Sequence, residues 1–232
     1  MHPLNKTARL AGMFYLLVVI SGFFTLMYVP GKLFVTNDAS ATASNILAHQ
    51  TLFRAYIVAD LISGLAFIAT VLALYQLFES VGRRLAMLMV LLVLLVAPLG
   101  LVGTANQLAA LILLRSSDLL GAFDPAQRNA LAMLLLKLNG SAKLISEVFW
   151  GLWLLPLGLL TCRSGFVPRL LGVWLIINGL TYVAMSAIGL AWPHYPDMID
   201  TITAPLLLGE VAFTFWLLIV GIRTPSSGIA TT

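Results

Sequence analysis

The sequence predicts an all-α polytopic membrane protein with six transmembrane helices, and three observations carry that expectation. Of 232 residues, 60% are hydrophobic and only 9% charged, and the mean hydropathy is +1.00. A soluble domain carries about 45–50% apolar and about 25% charged residues, so this chain lacks the polar groups to cover a globular surface. The apolar residues gather into six segments, each near or above the roughly 20 residues that carry a helix across a bilayer. The basic residues, finally, sort by side of the membrane in the way that fixes topology.

The six spans run at about Leu10 to Tyr28, Leu52 to Phe78, Leu85 to Leu114, Gly140 to Cys162, Val167 to Ala191 and Ile202 to Ile222. Together they make residues 1–232 a single integral membrane domain. Within hydrocarbon each must be a helix, because no backbone N–H or C=O there has water to bond. The first, preceded by Lys6 and Arg9, is longer than the apolar core of a signal peptide. The small residues Ala39 to Ser44 lie too far on to suit cleavage, so it reads as a retained span.

One set of connections holds Lys6, Arg9, Arg83, Arg84, Arg163, Arg169 and Arg223. The opposite set mixes Lys32, Arg54, Arg115 and Arg128 with Asp38, Asp118, Asp124, Asp197 and Asp200. The positive-inside rule puts both termini in the cytoplasm. Trp192 and Tyr195, beside Pro193 and Pro196, read as interface anchors at the outer end of span five. The outer connection 29–51 holds Pro30, Gly31 and the small polar run Asn37 to Asn45. In the next outer connection, Asp124-Pro125-Ala126-Gln127 reads as a capping box with Pro at the first helical position. A helix running on from there to Cys162 would measure about 55 Å, too long for one span. A break near Asn139-Gly140 is therefore expected.

Two returning spans share a pattern. Glu147-Val-Phe-Trp-Gly-Leu-Trp-Leu-Leu-Pro-Leu-Gly158 matches Glu210-Val-Ala-Phe-Thr-Phe-Trp-Leu-Leu-Ile-Val-Gly221 at Glu, Val, Trp, Leu, Leu and Gly. The odd spans open alike with Arg9-Leu10, Arg84-Leu85 and Arg169-Leu170. This suggests three repeated helical hairpins, an arrangement that in transporters puts sites at the repeat interface. Asp60, Asn106, Glu147 and Glu210 all fall about 12 Å below their outer boundaries at 1.5 Å per residue. Polar groups at that depth are costly against lipid and turn inward to find partners. Lys143 is one turn from Glu147 and able to reach it. Arg54, Asn178 and Tyr182 are further candidate partners. Asp60, Asn106, Lys143, Glu147 and Glu210 thus form the candidate binding set.

Much is excluded. No run of Lys or Arg provides a nucleic-acid footprint despite the net charge of +4. The lone Cys162 allows no internal disulfide. His2, His49 and His194 lie outside the spans, and HExxH, CxxC, Walker A, GxSxG and GxGxxG are all absent, so no cofactor or metal is indicated. Gly100 to Gly103 would permit close helix contact, and Pro98 and Pro156 would kink their helices.

The string from Glu147 to Gly158, followed by Arg163-Ser-Gly-Phe-Val-Pro-Arg169-Leu-Leu-Gly172, resembles a family of bacterial multi-span membrane proteins filed as domain of unknown function 4386. Arg9-Leu-Ala-Gly12, the Asp60 region and Glu210 with Trp216-Leu-Leu also resemble it, so the likeness covers about Lys6 to Arg223. Relatives carry His near the position of Asn139, which counts here against a role needing imidazole. The resemblance implies a bacterial inner-membrane protein and supplies no activity. Three functions stay open: small-solute transport or binding through the carboxylates, a membrane enzyme using two of them as acid and base, or a non-catalytic subunit of an assembly. The partners expected are the lipid bilayer and a small solute, with oligomerisation left open.

Overall fold

The structure, a computed structural model, describes residues 3–115, 121, 123–192 and 198–222. The expectations for His2, Asp118, Pro193, His194, Tyr195, Pro196, Asp197 and Arg223 lie outside those residues, as does the side chain of Asp200. The fold is all-α. Among the described residues, four helical stretches are long and apolar enough to cross a membrane: Leu4–Leu33, Gln50–Arg115, Pro125–Ser164 and Arg169–Ala191. A shorter apolar helix covers Leu208–Ile219.

The first stretch is three pieces joined end to end: α1 (Pro3–Phe23), a π-helical turn (Phe24–Tyr28) and α2 (Val29–Leu33). In the π turn the Val29 N–H donates to the Phe24 carbonyl, one residue further back than in an α-helix. The next donor in that series would be residue 30, which is proline and has no N–H. The Thr25 carbonyl is thereby left for a side chain.

The polar run expected in an irregular connection is itself helical, as α3 (Ala39–Ala48). Asp38 caps it, its carboxylate accepting from the Ala41 N–H at 2.8 Å, so one orphan donor of the first turn is satisfied. Next comes α4 (Gln50–Arg115), whose 66 residues are interrupted by non-helical backbone at Gly82 (φ −174°, ψ 85°). The two legs lie side by side, since Asp60 on the first bonds Gln107 on the second.

The capping box that opens α5 (Pro125–Ser164) forms as expected. The Gln127 N–H reaches Asp124 at 2.8 Å, and the Asp124 N–H reaches the Gln127 side chain at 3.0 Å. The expected break near Asn139-Gly140 does not occur, and α5 runs unbroken for 40 residues. At 1.5 Å per residue it is about 60 Å long, twice the roughly 30 Å of the hydrocarbon core. The reason is packing. Ala132 and Leu136 of its first half bury against Val29, Leu33, Ile46, Phe53 and Tyr56, so this half has an apolar core of its own and needs no break. Pro98 and Pro156 both lie inside continuous helix.

Two more helices complete the fold, α6 (Arg169–Ala191) and α7 (Met198–Ile219). α5 and α6 meet along glycines. A Cβ on Gly151 would lie 2.4 Å from the Gly179 carbonyl, and one on Gly158 would lie 2.7 Å from the Gly172 carbonyl. Only glycine permits that approach at all four positions, in the manner of small-residue contacts between membrane helices. Tyr15, Leu74, Phe78, Met89, Trp153, Leu175 and Phe213 fill the inner core between these helices and α1. Past α7, the Ile222 N–H donates to the Asn5 side chain at 3.2 Å, which ties the end of the described chain to the start of α1.

Candidate functional site

Two polar clusters sit within the helical layer, each assembled from several elements. The first is centred on Asp60, in the first leg of α4. Lys143 of α5 approaches it at 3.4 Å, an ion pair in which the lysine and aspartate side chains are 22% and 16% exposed. The Lys143 ammonium also donates to the Tyr56 hydroxyl at 3.2 Å and to the Thr25 carbonyl at 3.4 Å. That last acceptor is the one freed by the π turn and Pro30. Gln107 donates to Asp60 Oδ2, the same oxygen that Lys143 approaches at 3.4 Å, and Asn139 donates to the Tyr56 hydroxyl at 3.1 Å. Gly103 makes room for Asn139, because a Cβ there would lie 2.6 Å from the Asn139 amide oxygen.

The second cluster is centred on Glu210 of α7. Tyr15 of α1 donates to one carboxylate oxygen, and Asn178 of α6 donates to the other at 3.4 Å. The Tyr182 hydroxyl of α6 is a third hydrogen-bond partner. Around them the aromatic rings interlock, with Tyr15 and Trp153 centroids 5.8 Å apart, Phe67 and Trp153 5.1 Å, and Trp150 and Tyr182 6.3 Å. Glu210 has hydroxyls and an amide as its partners among the described residues, and neither Lys nor Arg.

Both clusters line one cavity of about 720 Å³. That is within the roughly 300–1,000 Å³ of small-molecule sites. Asp60, Asn139, Lys143, Tyr15, Tyr182 and Glu210 form its polar wall together with Thr25, Ser63, Thr104 and Ser146, and most of the remaining lining is aliphatic and aromatic. Three glycines, one on α1 and one on each leg of α4, account for the space. Gly22, Gly64 and Gly100 all line the cavity, and a Cβ added to any of them would meet nothing within 4 Å. Within the stretch expected to allow close helix contact, Gly100 opens room instead, and Gly103 makes the contact, against Asn139 of α5.

Of the five residues singled out from sequence, Asp60, Lys143 and Glu210 line this cavity. Asn106 and Glu147 are half-buried and lie off its lining. Glu147 is within electrostatic reach of Tyr182. The ion pair of Lys143 is made across helices with Asp60, not along its own helix with Glu147, because α4 brings a carboxylate and a tyrosine hydroxyl to the same face. Arg54 is exposed and contributes no partner to Asp60. Asn178 and Tyr182 do partner a carboxylate, that of Glu210. Trp192, expected at the interface, caps the end of α6 and is 64% exposed.

Sequence reasoning missed Tyr15, Tyr56 and Gln107. Gln107 was one position from the residue chosen, and a helix turns 100° in that step. The tyrosines carried a signal of a kind, since a tyrosine inside an apolar helix needs a partner for its hydroxyl.

Neither the curated proteins nor the solved structures contain a match to this chain. Residues 10–221 match a family of sequences described only as a domain of unknown function. That match takes in both polar clusters, the glycines that shape the cavity and every helix from α1 to α7, so the chain belongs to the DUF4386 family.

Proposed function

We propose that this protein is a six-span bacterial inner-membrane protein that binds, and moves, a small solute through the glycine-lined cavity, with Asp60, Lys143 and Glu210 as its polar contacts. The observation that carries the reading is the convergence of two separately built polar clusters on one cavity. Ionisable side chains inside a membrane bundle are costly, and where they face a cavity they mark pathways and binding sites. Asn106 and Glu147 stand at the margin of this site and support its walls.

Two features support the span count. The break at Gly82 splits α4 into two legs of about 32 residues each, about 48 Å long and each enough to cross the roughly 30 Å core. The bond between Asn5 and Ile222 puts both ends of the described chain on one side, which requires an even number of crossings. Six spans in three hairpins, with both termini on the Arg-rich cytoplasmic side, satisfy both conditions. Together they make one membrane domain.

The test is thermal unfolding in lipid nanodiscs, followed by tryptophan fluorescence, across a panel of polar solutes and amphiphiles. A ligand is expected to raise the midpoint of the parent and leave Gly64→Trp unmoved, since that indole fills the cavity from open space. A compound that shifts both proteins equally acts elsewhere, and a panel that shifts neither overturns the reading.

A further inference from the structure

The solute class can be read from the difference between the two clusters, on the assumption that the cavity is the binding site as proposed above. Asp60 is already neutralised by Lys143. Glu210 is held by Tyr15, Asn178 and Tyr182, which bond a carboxylate without cancelling its charge. Six aromatic side chains, Tyr15, Phe23, Phe67, Trp150, Trp153 and Tyr182, line the same cavity as Glu210. A carboxylate with no Lys or Arg partner among the described residues, in a cavity lined by several aromatic rings, is the arrangement that recognises ammonium groups, by charge and by cation–π attraction together.

The cavity also reaches the outside of the bundle through apolar side chains. Phe23, Met27, Leu65 and Leu101 all line it, yet are 60–70% exposed on the surface that faces lipid. With Gly22, Gly64 and Gly100 leaving space beside them, they frame a lateral opening into the bilayer. A ligand taking that route needs an apolar body.

We infer that the cavity binds a lipophilic organic cation, which enters sideways from the membrane and places its positive centre between Glu210 and the aromatic wall.

The test compares two ions of one shape and opposite charge, tetraphenylphosphonium and tetraphenylborate, by equilibrium binding to the full-length protein in nanodiscs, with empty nanodiscs as background. The phosphonium is expected to bind saturably, to be displaced by dodecyltrimethylammonium, and to bind at least about tenfold tighter than the borate. Glu210→Gln should weaken it about tenfold or more, whereas Glu79→Gln, at an exposed carboxylate off the cavity lining, should alter it less than about threefold. Should Glu210→Gln fail to fold, the preference of the parent decides alone. If both ions bind alike and Gly64→Trp blocks both, the cavity reading stands and the cation inference falls. If neither binds above background, or the borate binds tighter, the cation inference falls, and the solute panel alone then judges the cavity.

Discussion

Asp60 and Glu210 face one cavity and belong to two different electrostatic designs. Asp60 is gripped by a cation that is itself tied to a tyrosine hydroxyl and to a backbone carbonyl left open by the π turn and Pro30. Glu210 is gripped by neutral donors only, among the described residues. The contrast teaches that burial depth alone does not assign a role to an intramembrane carboxylate. On the proposed reading Glu210 meets the positive centre of the ligand, and the Asp60–Lys143 pair joins α4 to α5 in the same cavity wall.

The sharpest way to break that contrast is to strand the first charge. Lys143→Met leaves Asp60 without its cation, and stranding one member of this partly buried pair costs about 3 kcal/mol. Adding Asp60→Asn should return more than half of that loss, measured by denaturant unfolding in mixed micelles. A Lys143→Met protein as stable as the parent would mean that the pair is no strut. The helix seam comes next. Gly151→Ala places a Cβ against the Gly179 carbonyl, and overpacking of this kind costs about 1–3 kcal/mol. Because α5 carries Lys143 and α6 carries Tyr182, the change should disturb both clusters, read as shifts of cysteine reactivity introduced at Ser63 and Val211.

At Glu210 the expected effects are smaller. Tyr15→Phe removes one neutral donor and leaves two, for a loss of about 1 kcal/mol in the same unfolding assay. A loss as large as that of Lys143→Met would erase the distinction between the clusters. Smallest of all is Gly64→Ala, whose new methyl faces open space. It should be neutral or stabilising, within about 1 kcal/mol.

How far the sequence discloses this arrangement depends on the range of the interaction. Composition and segment length reveal the membrane class, because they report on the solvent and need no neighbours. The Asp124–Gln127 capping box is equally legible, being complete within four residues. Lys143 shows the limit. Spacing along its helix points to Glu147, and the partner across the helix boundary is invisible until the helices are packed. The continuity of α5 fails to show for the same reason, since the residues that bury Ala132 and Leu136 come from α2, α3 and α4. Gly100 reads as a contact glycine in the linear pattern, and only the packed bundle reveals that it, like Gly22 and Gly64, leaves open space.

The glycine seam between α5 and α6 has a kinematic consequence. Gly151 faces Gly179 and Gly158 faces Gly172, so the spacing on one rod repeats, reversed, on the other. Such matched notches work as a ratchet with two teeth. Sliding either rod by one residue drives a Cβ-bearing position into a carbonyl at both teeth, so piston motion along the seam is blocked. Rocking about the seam keeps the teeth engaged and changes only the splay of the rods. Any movement that opens the cavity and carries Lys143 and Tyr182 apart must therefore be a tilt of one rod against the other, with the four glycines as its pivot line.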